Sequence, residues 1–138
     1  MSALMMVHTF DERDLRLPAD ASRLSEARRF AETAALEFGF DEIVKRQITL
    51  AINEAVANAM EHGSPGNGDE VELRAVAEDG ALAIYVTDRG RFVPRTAHRE
   101  AMPERGRGLA FMDLLMDEVE VSSGTRGTRI RLAKRLGD

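Results

Sequence analysis

No cysteine occurs among the 138 residues. Disulfides, thiolate metal sites and a cysteine nucleophile are therefore excluded. Tryptophan is also missing, and aromatic residues make up only 5% of the chain, which argues against stacking platforms for nucleic-acid bases. No apolar run approaches the ~18 residues that a membrane span needs. No signal peptide is visible, so the expected compartment is the cytoplasm. Neither charge dominates: 19 basic and 24 acidic residues leave a net charge of −5. This mild acidity argues against nucleic acid as the main ligand. What remains is 43% hydrophobic and 31% charged, a globular composition at a length suited to one domain with a real core. The expectation is a single domain over residues 1–138 with its core at about 7–134.

The strongest periodic signal lies between Ile48 and Gly63. Ile48, Ala51, Ile52, Ala55, Val56, Ala59 and Met60 recur at spacings of three and four, which is one buried face of a helix. Glu54, Asn58 and His62 stand four apart and stack in a line on a second face. Gly63, followed by Ser64 and Pro65, supplies the stop.

Around this helix the chain reads in order. Val7 to Leu17 alternates imperfectly and predicts a first strand or hairpin edge, broken by Pro18. Asp20 or Ser22 can cap a helix in which Leu24, Ala27, Phe30, Ala31, Ala34 and Leu36 keep helical spacing. Asp41 caps the next helix, which runs into the central stretch. Ser64 to Asp69 is a loop. Val71, Leu73 and Ala75, then Leu82, Ile84 and Val86, predict two strands joined by a turn at Glu78-Asp79-Gly80. Asp88 to Arg105 reads as a long loop. Leu109, Met112, Leu115 and Met116 predict a helix from Gly108 onward. Val119 and Val121, a turn at Gly124 to Gly127, then Ile130 and Leu132 predict a closing hairpin. The order β-α-α-β-β-loop-α-β-β implies an α+β two-layer sandwich, with three main helices on one face of a mostly antiparallel sheet.

Three clusters carry chemistry. Taken alone, the line Glu54, Asn58, His62 is an ordinary solvated helix face. Val86-Thr-Asp88-Arg-Gly90 alone is a strand end followed by a turn. Glu104-Arg-Gly106-Arg-Gly108-Leu109 has a G-x-G that opens a helix, where backbone N–H groups and the helix N-terminus favour phosphate. A lone G-x-G is weak evidence, since glycine-rich loops are often only flexible.

In this order the clusters together resemble the nucleotide-binding motifs of the GHKL ATPase superfamily, the Bergerat fold. They are most similar to the anti-sigma-factor serine/threonine kinases of bacterial stress and sporulation switches. Glu54-Ala-Val-Ala-Asn58-Ala-Met-Glu-His62-Gly63 is similar to that family's helix motif, Asp88-Arg-Gly90 to its adenine motif, and Gly106-Arg-Gly108-Leu109 to its phosphate loop. Gly124-Thr-Arg-Gly127-Thr128 also fits, and the resemblance covers roughly Leu15 to Lys134. Arg91-Phe92 replaces the usual second glycine, a form that looks like a variant within the kinase group. The short lid between the adenine and phosphate motifs separates this chain from sensor histidine kinases.

The resemblance implies an ATP-dependent protein serine kinase with ATP and Mg²⁺ as cofactors. Asn58 would coordinate Mg²⁺ and Glu54 would be the general base. Asp88 would accept the adenine amino hydrogen, Gly90 would let the base approach, and Thr128 would lie under the adenine with Asp88. Arg105, Gly106, Arg107, Gly108 and Leu109 would hold the phosphates. His62 either orders the lid or, as a helix C-terminal histidine, stabilises the dipole. The implied partners are a sigma factor, which is sequestered, and an anti-anti-sigma antagonist (a STAS domain), which is phosphorylated on Ser. A homodimer is implied, with the edge near Val7 to Leu17 as candidate contact; neither direct nucleic-acid binding nor a membrane is expected. The rival is a nucleotide-responsive partner-switching module without kinase activity. Glu54 favours the enzyme, because a mere binder needs no base.

Overall fold

The computed structural model describes residues 10–62, 69–88, 103–124 and 127–137, with the side chains of 62 and 103–107 outside that description. Strand β1 (Arg13–Pro18) is followed by a 3-10 turn (Ala21–Arg23) and helix α1 (Leu24–Phe38). Helix α2 (Glu42–His62) precedes the β2 (Glu70–Glu78) and β3 (Ala81–Asp88) hairpin. Helix α3 (Pro103–Leu115) leads into β4 (Glu118–Gly124) and β5 (Gly127–Arg135). The five strands lie in the order β1-β2-β3-β5-β4, and every adjacent pair is antiparallel. Three helices cover one face, which is the expected α+β sandwich.

The local reasons are those of the sequence. Asp20 accepts the Ser22 N–H at 3.0 Å, so the aspartate caps the 3-10 turn that leads into α1. Gly39, at φ 115°, takes the left-handed turn that ends α1. Asp41 Oδ1 accepts the Val44 N–H at 2.9 Å and caps α2. All seven apolar positions read on α2, from Ile48 to Met60, are at most 6% exposed. They pack against Val71, Leu73, Ile84, Val86 and Leu132 on the inner sheet face. The β2–β3 turn has two central residues, Asp79 at φ 51° and Gly80 at φ 80°. Both angles are positive, as a hairpin whose twist matches its strands requires.

Two boundaries and one burial differ from the sequence reading. Strand β1 begins only at Arg13; Phe10 before it is buried against Phe38, and Val7 and Thr9 lie outside the described residues. Leu36, expected on the buried face of α1, is 48% exposed, while Ala35 and Phe38 are buried in its place. Helix α3 starts at Pro103 rather than Gly108. Proline suits the first helical position, where its missing N–H costs nothing, so the helix starts before both glycines.

The other sheet face carries no helix of the described residues. Ala81, Ala83 and Ala133 form a small apolar floor beside Val76 and Tyr85. Around it the Tyr85 hydroxyl donates to Glu78 Oε2 at 2.6 Å, and Arg131 bridges Glu78 at 3.1 Å and Glu118 at 2.8 Å.

Candidate functional site

The buried stripe of α2 turns Glu54 and Asn58 away from the core centre, and both are half-buried. Their four-residue spacing keeps them on adjacent turns of one line. Strand β3 ends at Asp88, whose exposure is only 2%. Across the sheet the β3–β5 register sets Asp88 opposite Thr128, itself buried at 7%. A carboxylate at a strand end is ordinarily solvated, so burial of this one sets it apart.

Asn58, Asp88 and Thr128 share one cavity between α2, the sheet and α3, and Glu54 stands one turn away from Asn58 outside its lining. Asn58, Asp88 and Thr128 are its polar lining; Ala59, Val86, Leu109, Val121 and Ile130 form the rest. An apolar slot with one carboxylate in its wall suits a flat heteroaromatic ring that carries an exocyclic amino group. The walls give the ring dispersion and burial, while the acceptor oxygen selects the donor edge.

Helix α3 meets the same place. A Cβ built on Gly108 would stand 2.9 Å from Glu54 Oε2 and 3.3 Å from Asn58 Nδ2. A distance below 3.0 Å is one that real Cβ atoms essentially never show. Glycine thus leaves the ends of the Glu54 and Asn58 side chains undisplaced beneath the α3 backbone.

The structure therefore brings together Glu54, Asn58, Asp88, Gly108, Leu109 and Thr128. Gly90 and Gly63 lie outside the described residues. Arg105, Gly106 and Arg107 fall in the first turns of α3, their side chains outside the description, and the same holds for the His62 side chain at the end of α2. The expectation that the G-x-G opens the helix, with helical pattern from Gly108, is corrected, because the helix begins at Pro103 and both Gly106 and Gly108 stand within it. Sequence reasoning missed the cavity walls. Val86 precedes Asp88 by two and Ile130 follows Thr128 by two, so strand alternation places each pair on one face. Val121 joins them only through its pairing with Ile130, which no local signal reveals.

Comparison with known proteins finds relatives over most of the chain. The family model described as "Histidine kinase-like ATPase domain" matches residues 17–134. The chain is 29% identical to "Serine-protein kinase RsbW" of Bacillus pumilus, over 95% of this chain and 90% of that protein. It is 31% identical to "Anti-sigma F factor" of Clostridium acetobutylicum, over 81% of this chain and 87% of that protein. A crystal structure of the RsbU and RsbW domains of a Mycobacterium tuberculosis protein superposes with a TM-score of 0.67 at 26% identity. That match covers 90% of this chain and 32% of the longer solved chain. No helix of the described residues is long and apolar enough to cross a membrane.

Proposed function

The chain belongs to the histidine kinase-like ATPase domain family, and we propose that it is an anti-sigma factor and ATP-dependent protein serine kinase acting as one domain. The relatives named for these two activities support the reading. The single observation that carries it is the convergence on α2: Glu54 and Asn58 on one line, with Gly108 seated against both.

Bound ATP with Mg²⁺ supplies the phosphoryl group and the cation that offsets its charge. The donor set fits. The Asn58 carboxamide oxygen is a hard ligand of the kind Mg²⁺ accepts beside its retained waters. The buried Asp88 carboxylate accepts the amino hydrogen of adenine, Gly90 leaves room for the base, and Thr128 lies under the adenine with Asp88, directly or through water. Arg105, Gly106, Arg107, Gly108 and Leu109 hold the phosphates. Glu54 accepts the proton of the attacking hydroxyl.

The acceptor is a Ser on an anti-anti-sigma (STAS) antagonist, and the silenced partner is a sigma factor; both act in the cytoplasm. The chain works as a homodimer, with the β1 edge as its contact, because among the described residues β1 pairs on one side only. Sedimentation at micromolar concentration showing only the 15.3 kDa species removes the dimer. The test of the function is incubation with radiolabelled ATP and the STAS antagonist, read as phosphoserine. Absence of transfer, with nucleotide-dependent partner exchange intact, replaces the kinase by a binding module.

A further inference from the structure

Seven large apolar side chains are exposed among the described residues, and five of them stand on the three helices. These are Leu36 at 48%, Ile43 at 71%, Leu50 at 51%, Phe111 at 40% and Leu114 at 82%. The outward face of a surface helix is ordinarily polar, so five such residues in one layer require an explanation.

Helical spacing makes them neighbours. Ile43 and Leu50 are seven apart, two turns along one line of α2, and Leu50 precedes Glu54 by one turn on that line. Helix α3 runs antiparallel to α2. Its Leu109 shares the cavity with Asp88 and Asn58 near the C-terminal end of α2, while its last carbonyl, that of Leu115, accepts Lys134 Nζ at 2.7 Å. Lys134 pairs with Leu82, at the opposite end of β3 from Asp88. Since Gly108 rests on Glu54, Phe111 stands one turn farther back along α2, toward Leu50, and Leu114 continues the same face of α3. On the other flank, Arg28 of α1 donates to Asn53 of α2 at 2.9 Å. Leu36 stands eight residues beyond Arg28, about 80° farther round α1, on the side away from the buried Ala27, Ala31, Ala34, Ala35 and Phe38.

We infer that this outer apolar face of the helix layer is the docking surface for the folded protein that presents its hydroxyl to Glu54. The inference rests on the kinase reading above and names where its protein substrate sits. Glu54 is half-buried, with Gly108 closing one side, so an acceptor oxygen within ~3 Å of the carboxylate comes over the outer ridge. The first apolar residue it meets there is Leu50. From Ile43 to Glu54 the strip is about 16 Å long at 1.5 Å per residue. A small hydroxylic molecule needs no such strip, whereas a domain-sized partner does.

Ile43→Asp and Leu114→Asp test it, since both side chains are mostly exposed and neither belongs to the nucleotide site. The probe is the STAS-domain protein that the wild-type chain phosphorylates, found by radiolabel transfer among those of its genome. ATP affinity by calorimetry and the unfolding temperature report on site and fold. The expected result is ATP affinity within about twofold of wild type and a KM for the STAS protein raised at least about tenfold, with kcat at saturation nearly unchanged. An unchanged KM in both variants overturns the inference. So does an unchanged KM with sigma-factor binding lost, which assigns the face to the sigma factor. If the wild type transfers phosphate to no STAS protein, the kinase reading itself has failed, and this surface falls with it.

Discussion

Gly108 of α3 lies so close to Glu54 of α2 that an added Cβ would stand 2.9 Å from the Glu54 Oε2 atom. The atom it would strike is the far end of a flexible side chain, which can move without disturbing the backbone. The contact therefore fixes the position of one carboxylate more than it holds two helices together. Two outcomes that usually travel together, stability and activity, separate at this position.

Gly108→Ala is expected to unfold at or slightly above the wild-type temperature, because alanine gains ~0.5–1 kcal/mol over glycine inside a helix. Phosphoryl transfer is expected to fall by at least about tenfold, since a displaced base loses its alignment with the hydroxyl. Thermal unfolding and a transfer assay on one preparation check both. A stabilised variant with full activity shows that Glu54 tolerates displacement.

In the proposed function Asp88 sets the base preference. Its buried carboxylate would meet the amino group of adenine as acceptor to donor, but the carbonyl of guanine as acceptor to acceptor. ATP is expected to bind more tightly than GTP by ~1–3 kcal/mol, the cost of a buried polar group left unpaired. Calorimetric titration with both nucleotides decides it, and equal affinities remove Asp88 from this role.

Much of this was readable in the chain. The stripe from Ile48 to Met60 specified which face of α2 is buried, and hence that Glu54 and Asn58 stand off it. Alternation along β3 placed Asp88 at the strand end, and Asp79-Gly80 marked a two-residue hairpin. The start of α3 was not readable, because Gly106 and Gly108 are poor helix formers and resemble a loop. Tertiary contact with Glu54 and Asn58 overrides that weak local preference. Leu36 follows the same logic in reverse, since helical spacing alone does not say how wide the buried stripe of α1 is. The Val121 wall depends on β4–β5 pairing, a register that no short window contains. Gly90 and the side chains of Arg105 and Arg107 lie outside the described structure.

The helix-free sheet face carries a pH signature. The Tyr85 hydroxyl, together with the Arg131 guanidinium, holds the Glu78 carboxyl below its ordinary value of 4.5. A carboxyl lowered by folding contributes stability above its unfolded-state pKa and loses it as pH falls through its folded-state pKa. Glu78→Gln is therefore expected to unfold about 1–4 °C below wild type at neutral pH, the scale of a partly exposed pair. The gap should shrink as pH falls below 4.5 and close once the native carboxyl is protonated. Unfolding temperatures measured across that range check it, and a gap that is constant with pH contradicts it.

The central claim is that two residues one turn apart divide the work, Asn58 holding Mg²⁺ and Glu54 taking the proton. The direct measurement is ATP affinity and phosphate transfer to the STAS antagonist for Glu54→Gln and Asn58→Ala, side by side with wild type. Asn58→Ala is expected to weaken Mg-ATP binding itself. Glu54→Gln keeps the shape of the side chain and removes the basic oxygen. It is expected to bind ATP within about twofold of wild type and to transfer phosphate ~10²–10⁴-fold more slowly. Transfer by Glu54→Gln at the wild-type rate contradicts the account.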